Sequence, residues 1–124
     1  MGALKFFVGL NGIFYLLYGL YGAFVPTSIA FIMGWTPSLL GLHEVRAIWT
    51  ALAAMGLVIL WTLRHASDLV PVVKAIMLVT AAFFVGRVLG LTLDGAGPPL
   101  TYFEMGLEIV IVLWGLVILR RVRV

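Results

Sequence analysis

Cysteine is absent from this chain, which excludes disulfides, thiolate metal sites and Cys-x-x-Cys redox chemistry. Charge is scarce as well: Asp, Glu, Lys and Arg make up 10% of 124 residues, against about a quarter in an ordinary soluble domain. No soluble catalytic module is expected. Histidine occurs only at His43 and His65. On one helix, at about 1.5 Å per residue, these would lie roughly 33 Å apart and could not share a haem within one protomer. His43-Glu44 is followed by Val45-Arg46-Ala47, so there is no His-Glu-x-x-His. Neither Glu104 nor Glu108 has the i+3 histidine of a di-iron bundle. A Gly-rich phosphate loop is also missing. The sequence therefore predicts no metal and no other cofactor.

What the chain has is hydrocarbon. Hydrophobic residues account for 64% of it and mean hydropathy is +1.20, the composition of an integral membrane protein. A spanning helix uses about 20 residues, so residues 1–124 accommodate four spans and little else in a single transmembrane domain. Apolar runs place the spans at about 3–25, 43–63, 69–93 and 100–119. The first is too long for a secretory h-region of about 7–15 residues and is expected to be retained.

Between the first two spans, Pro26-Thr27-Ser28, the run 29–33 and Gly34 have the cap, apolar turn and glycine stop of a short helix. It is too short to cross and is expected at the interface beside Trp35. Thr36 as cap with Pro37 in the first turn offers one start for the second span, and His43 offers a later one. Ala47 and Ala51 form a small-x-x-x-small pair, as do Gly86 and Gly90, and both suit close helix contact. Asp94-Gly95-Ala96-Gly97-Pro98-Pro99 reads as a turn. The expected fold is an all-α, four-helix, up-down-up-down membrane bundle with a short interfacial helix.

Lys5, Arg64, Lys74, Arg120, Arg121 and Arg123 all fall on one side of that topology, and the loops of the other side contain no lysine or arginine. The positive-inside rule makes the basic side, with both termini, cytoplasmic. The net charge of +3 is thus a topology signal rather than a nucleic-acid surface. Arginines at the C-terminal end also suit lipid headgroups. Trp35, Trp49, Trp61 and Trp114 are scattered, as interface and lipid-facing residues would be. His65 reads as a solvated loop residue.

With those cations and Asp68 set aside, the remaining charges gather at the opposite ends of spans two, three and four: Glu44, Arg46, Arg87, Asp94, Glu104 and Glu108. Arg87 lies roughly 10 Å below Asp94, and Glu108 at a similar depth below the start of the fourth span. A lone charge deep in a bilayer costs about 2.5–3.5 kcal/mol even on the lenient scale, so pairing is almost required. The expectation is that Arg87 bonds Glu108, with Glu44 or Arg46 closing the network. Asn11, Tyr15, Tyr18 and Gly22 share one face of the first span, and that face should look into the bundle.

Asn11 and Tyr15, Pro26, Glu44-Val45-Arg46-Ala47, Gly86-Arg87, Gly90, Asp94-Gly95, Pro98 and Glu108 together resemble a family of small bacterial four-helix membrane proteins. That family is classed as a domain of unknown function and is DoxX-like in layout. The resemblance covers nearly the whole chain. It implies a membrane bundle with its motif cluster on one side, in a bacterial inner membrane, and no established activity. The family pattern often continues past its Glu-x-Arg-Ala element with a tyrosine and two glycines, where this chain has Trp49-Thr50-Ala51.

Two accounts of the charged layer stand side by side. In one it is a satisfied network that registers the helices. In the other, acids outnumber arginines by four to two, and a carboxyl is left to handle a proton. Three functions follow. The first is binding of a small hydrophobic ligand, lipid or partner at Asn11, Tyr15, Tyr18, Glu44, Arg46, Arg87, Asp94, Glu104 and Glu108. The second is a cofactor-independent membrane enzyme, with Glu108 or Glu44 as proton carrier, Arg87 as electrostatic partner, and Tyr15 or Tyr18 as donor. The third is a proton-coupled transport subunit, for which four spans would require a homo-oligomer.

Overall fold

The computed structural model describes residues 1–36 and 38–122, the side chain of Leu39 excepted. Five helices follow in order: α1 (Gly2–Phe24), α2 (Pro26–Ile32), α3 (Leu39–His65), α4 (Val70–Leu93) and α5 (Pro99–Val122). Among the described residues there is no strand. Helices α1, α3, α4 and α5 are each long and apolar enough to cross a membrane, and the chain is an all-helical integral membrane protein. By Cα packing it divides into two compact units, Val8–Ser67 and Met1–Phe7 with Asp68–Val124.

Glycine organises the first unit. Gly9 faces Leu63, Gly12 faces Leu60, Leu16 faces Gly56 and Gly19 faces Ala53. As the numbers rise along α1 they fall along α3, so the two helices run antiparallel. A Cβ on Gly19 would enter the backbone of Trp49 and Ala53, and one on Gly56 would lie 2.8 Å from the Gly12 carbonyl oxygen. Backbones approach this closely only where side chains are missing, which lets van der Waals contact hold helices that lipid cannot drive together.

The small pair expected at Ala47 and Ala51 is not this contact. Both are exposed, and the seam uses Ala53 and Gly56, which are buried. One face of α1 does turn inward as expected: Asn11, Tyr15 and Gly22 are buried and Tyr18 is half-buried. Helix α2 packs against α3 through Ile29, Val45 and Trp49, with Tyr18, Met33 and Leu52 at the edge.

Helix starts differ from the sequence reading in two places. Val25, which offers no side-chain hydrogen bond, is the N-cap of α2, so Thr27 and Ser28 lie inside its first turn and Pro26 supplies the pre-set φ. Gly34, at φ 68°, follows the helix end as expected. The cap of α3 is Ser38 rather than Thr36. Its Oγ accepts from the Gly41 N–H at 3.0 Å, a bond worth about 1 kcal/mol. The second span therefore starts at Leu39, ahead of His43. The first-turn role assigned to Pro37 lies outside the described residues, as does Arg123.

In the second unit α4 and α5 are antiparallel, with Met77 against Gly115 at one level and Arg87 against Glu104 and Glu108 at another. Gly95 turns the chain between them at φ 95°, and Pro99 opens α5. Phe6 and Phe7 meet Trp114 edge-on, with ring centroids 5.8 and 4.9 Å apart. The Gly86-x-x-x-Gly90 pair makes no helix contact: a Cβ at either position meets nothing described within 4 Å.

Tryptophan roles divide as well. Trp49 is buried among α1, α2 and α3, its indole filling the space that Gly22 leaves open. Trp114 packs in the second unit, and only Trp35 and Trp61 are exposed. His65 is the last residue of α3 rather than part of a loop. Its ring stacks on Trp61 and its Nδ1 lies 3.0 Å from the Trp61 carbonyl oxygen. Threonine hydroxyls in the spans return to their own helices: Thr80 donates to the Ile76 carbonyl at 2.7 Å and Thr92 to that of Val88 at 2.8 Å.

Candidate functional site

The densest charge in the second unit is a three-residue centre. Glu104 and Glu108 stand one turn apart on α5, so their carboxyl groups project from one face, and Arg87 reaches them from α4. Its Nη1 lies 2.9 Å from Glu104 Oε2, and its Nε donates to Glu108 Oε1 at 2.9 Å. One guanidinium thus serves two carboxyl groups that would otherwise repel each other. The planar fork of arginine suits this task better than lysine, because its separate N–H groups aim at two acceptors at once.

The centre is shielded. Side-chain exposure is 26% for Arg87, 15% for Glu104 and 11% for Glu108. The second oxygen of Glu108 is buried and has no hydrogen-bond partner among the described residues. Buried polar atoms are normally paired, and an orphan costs about 1–3 kcal/mol. Glu108 Oε2 is therefore an open position: as a carboxylate it accepts, and as an acid it donates.

The bond expected between Arg87 and Glu108 is present, but the third member is Glu104, where Glu44 or Arg46 was anticipated. Asp94 caps α4 and is exposed, its N–H donating to the Gly90 carbonyl at 2.8 Å. In the other unit Glu44 and Arg46 are both exposed. Arg46 donates from Nη1 to the Ala23 carbonyl oxygen at 2.6 Å. It thus satisfies one of the last carbonyls of α1, where the helix dipole also favours a cation.

Also in that unit, Tyr18 stacks on Phe14 at 5.6 Å and meets Trp49 edge-on at 5.8 Å. The Trp49 indole Nε1 is buried and has no hydrogen-bond acceptor among the described residues. The sequence set Gly22 on the inward face of α1 but gave no sign that the Trp49 indole fills the space beside it or that the Ala23 carbonyl accepts from Arg46. Among the described residues, no three of His, Cys, Asp and Glu come together as metal ligands would.

Comparison with curated proteins and with solved structures gave no match. The model of one family, described as a domain of unknown function (DUF4345), matches residues 3–119. That stretch holds all four spans nearly complete, with Arg87, Glu104 and Glu108 among them, and the chain belongs to this family.

Proposed function

We propose that this protein binds a small hydrophobic molecule whose polar end docks at the Arg87–Glu104–Glu108 centre. The observation that carries the reading is Glu108 Oε2, buried and unpartnered beside an arginine that already holds the other oxygen. An apolar body suits the surrounding helices, and one polar contact fixes its orientation, which is how mostly apolar sites gain specificity.

The test is mass spectrometry of small molecules extracted from protein purified in mild detergent. A discrete species is expected with the wild type, and at least about tenfold less with Glu108→Leu, the factor that loss of one hydrogen bond to a charged group implies. The variant keeps a one-to-one Arg87–Glu104 pair and is expected to stay folded by circular dichroism. Identical extracts from the two proteins would end the proposal.

The same reading places the protein in a bacterial inner membrane with its termini in the cytoplasm. Lys5, Lys74, Arg120 and Arg121 support this, being exposed at the end of the second unit away from Arg87. A thiol-reactive, membrane-impermeant probe applied to intact cells should label a cysteine placed at Ala96 and spare one placed at Ser67. The reverse pattern would refute the orientation.

A further inference from the structure

A recessed surface lies at the opposite end of the α4–α5 unit from the charged centre. The first turn of α1 and the last two turns of α5 enclose a groove of about 500 Å³, lined by Ala3, Leu4, Trp114, Val117, Ile118 and Arg121 among others. That volume is within the range of about 300–1,000 Å³ typical of small-molecule sites. Its floor is aliphatic and aromatic, Met1 and Val122 complete its lining, and Arg121 supplies its single charged side chain.

Charge around the groove has one sign. Arg120 and Arg121 close α5, Lys74 lies in the first turns of α4 and Lys5 in those of α1, all exposed. Asp68, at the start of α4, does not line the groove, and its Oδ1 accepts the Val70 N–H at 2.9 Å. The occupant must therefore be apolar along most of its length and anionic at one end.

We infer that this groove is a binding site for an anionic phospholipid, with an acyl chain along Leu4, Trp114 and Ile118 and the headgroup phosphate on Arg121. A guanidinium matches phosphate oxygens bidentately. The tryptophan lies about two turns below the arginine, at the depth where an indole meets the start of the acyl region. A diffuse basic surface would attract anionic lipid without selecting a residue. The groove makes Arg121 unlike Arg120, which does not line it.

The two arginines provide the test. The full chain is placed in phosphatidylcholine nanodiscs containing increasing phosphatidylglycerol, and bound phosphatidylglycerol is counted by native mass spectrometry. Arg121→Gln is expected to weaken binding at least about tenfold, the factor that loss of a hydrogen bond to a charged group implies. Arg120→Gln, which removes only the diffuse attraction of one basic residue, should weaken it by no more than about fivefold. Ala3→Phe, which fills the groove without altering charge, should weaken binding as Arg121→Gln does.

Both arginines are exposed, and unchanged melting of the variants in phosphatidylcholine alone verifies folding. Equal effects of the two arginine substitutions would reduce the attraction to bulk charge and overturn the site. Equal retention of phosphatidylcholine and phosphatidylglycerol by the wild type would do the same. Inorganic phosphate displacing the lipid from the wild type at millimolar concentration would show an ion site and overturn the lipid assignment.

Discussion

Arg87→Met is expected to destabilise the protein by about 3 kcal/mol, toward the low end of what removal of one partner from a buried ion pair costs. The loss arises from what remains behind. Glu104 and Glu108, one turn apart and largely shielded, would be left facing each other without a cation. Neutralising both acids should therefore recover most of the loss: Arg87→Met with Glu104→Gln and Glu108→Gln is expected within about 1 kcal/mol of the wild type.

Glu108→Gln alone should be mild, because its amide carbonyl can still accept from Arg87 Nε while Glu104 balances the guanidinium. Thermal unfolding in detergent, followed by circular dichroism, measures all three. If Arg87→Met melts with the wild type, the centre behaves as a solvated surface pair, which is worth about 0–1 kcal/mol, and the docking proposal loses its shielded anchor.

Gly19→Leu and Gly56→Leu are expected to be as damaging or worse, at about 3 kcal/mol or more, beyond the usual 1–3 kcal/mol of overpacking. At these positions the added Cβ meets backbone: the Trp49 carbonyl oxygen at 2.6 Å for Gly19, and the Gly12 carbonyl oxygen at 2.8 Å for Gly56. Backbone inside a helix cannot swing aside as a side-chain tip can, so α1 and α3 must separate along their length. Gly86→Leu and Gly90→Leu provide the control. Their Cβ positions are open, and both should melt within about 0.5 kcal/mol of the wild type, as substitutions away from packed features do. The same unfolding assay separates the two pairs. Equal tolerance at all four positions would mean that the α1–α3 seam is not close-packed.

Those two pairs show where sequence reading succeeds and stops. Spans were legible because long apolar runs admit one interpretation, and Arg87 with Glu108 because a rare charge in hydrocarbon demands a partner at its own depth. The seam was hidden. Gly86-x-x-x-Gly90 has the spacing associated with helix contact yet faces open space, while Gly12 and Gly19, seven residues apart, have no familiar signature and make the contact. Fourteen glycines are present, and only tertiary packing distinguishes those that permit close approach from those that do not.

The choice of Ser38 over Thr36 as a cap failed to show for a related reason: two hydroxyl residues stood two apart before the same helix. Glu104 was among the candidate charges, but its partnership with Arg87 depends on side-chain reach. Its i,i+4 relation to Glu108 shows a shared face without saying that one guanidinium spans both. The orphaned Glu108 oxygen has no sequence counterpart at all, since it is defined by what the neighbouring helix does not offer.

The in-step descent of α3 against α1 makes length itself a constrained quantity. Adding or deleting one residue between Gly12 and Gly19 would turn everything beyond it by about 100° and shift it by about 1.5 Å, moving Gly19 off Ala53 while leaving Gly12 on Leu60. An added residue in the link from Met33 to Ser38 leaves every facing pair in place. The spacing between glycines is thus a ruler that the helices must keep.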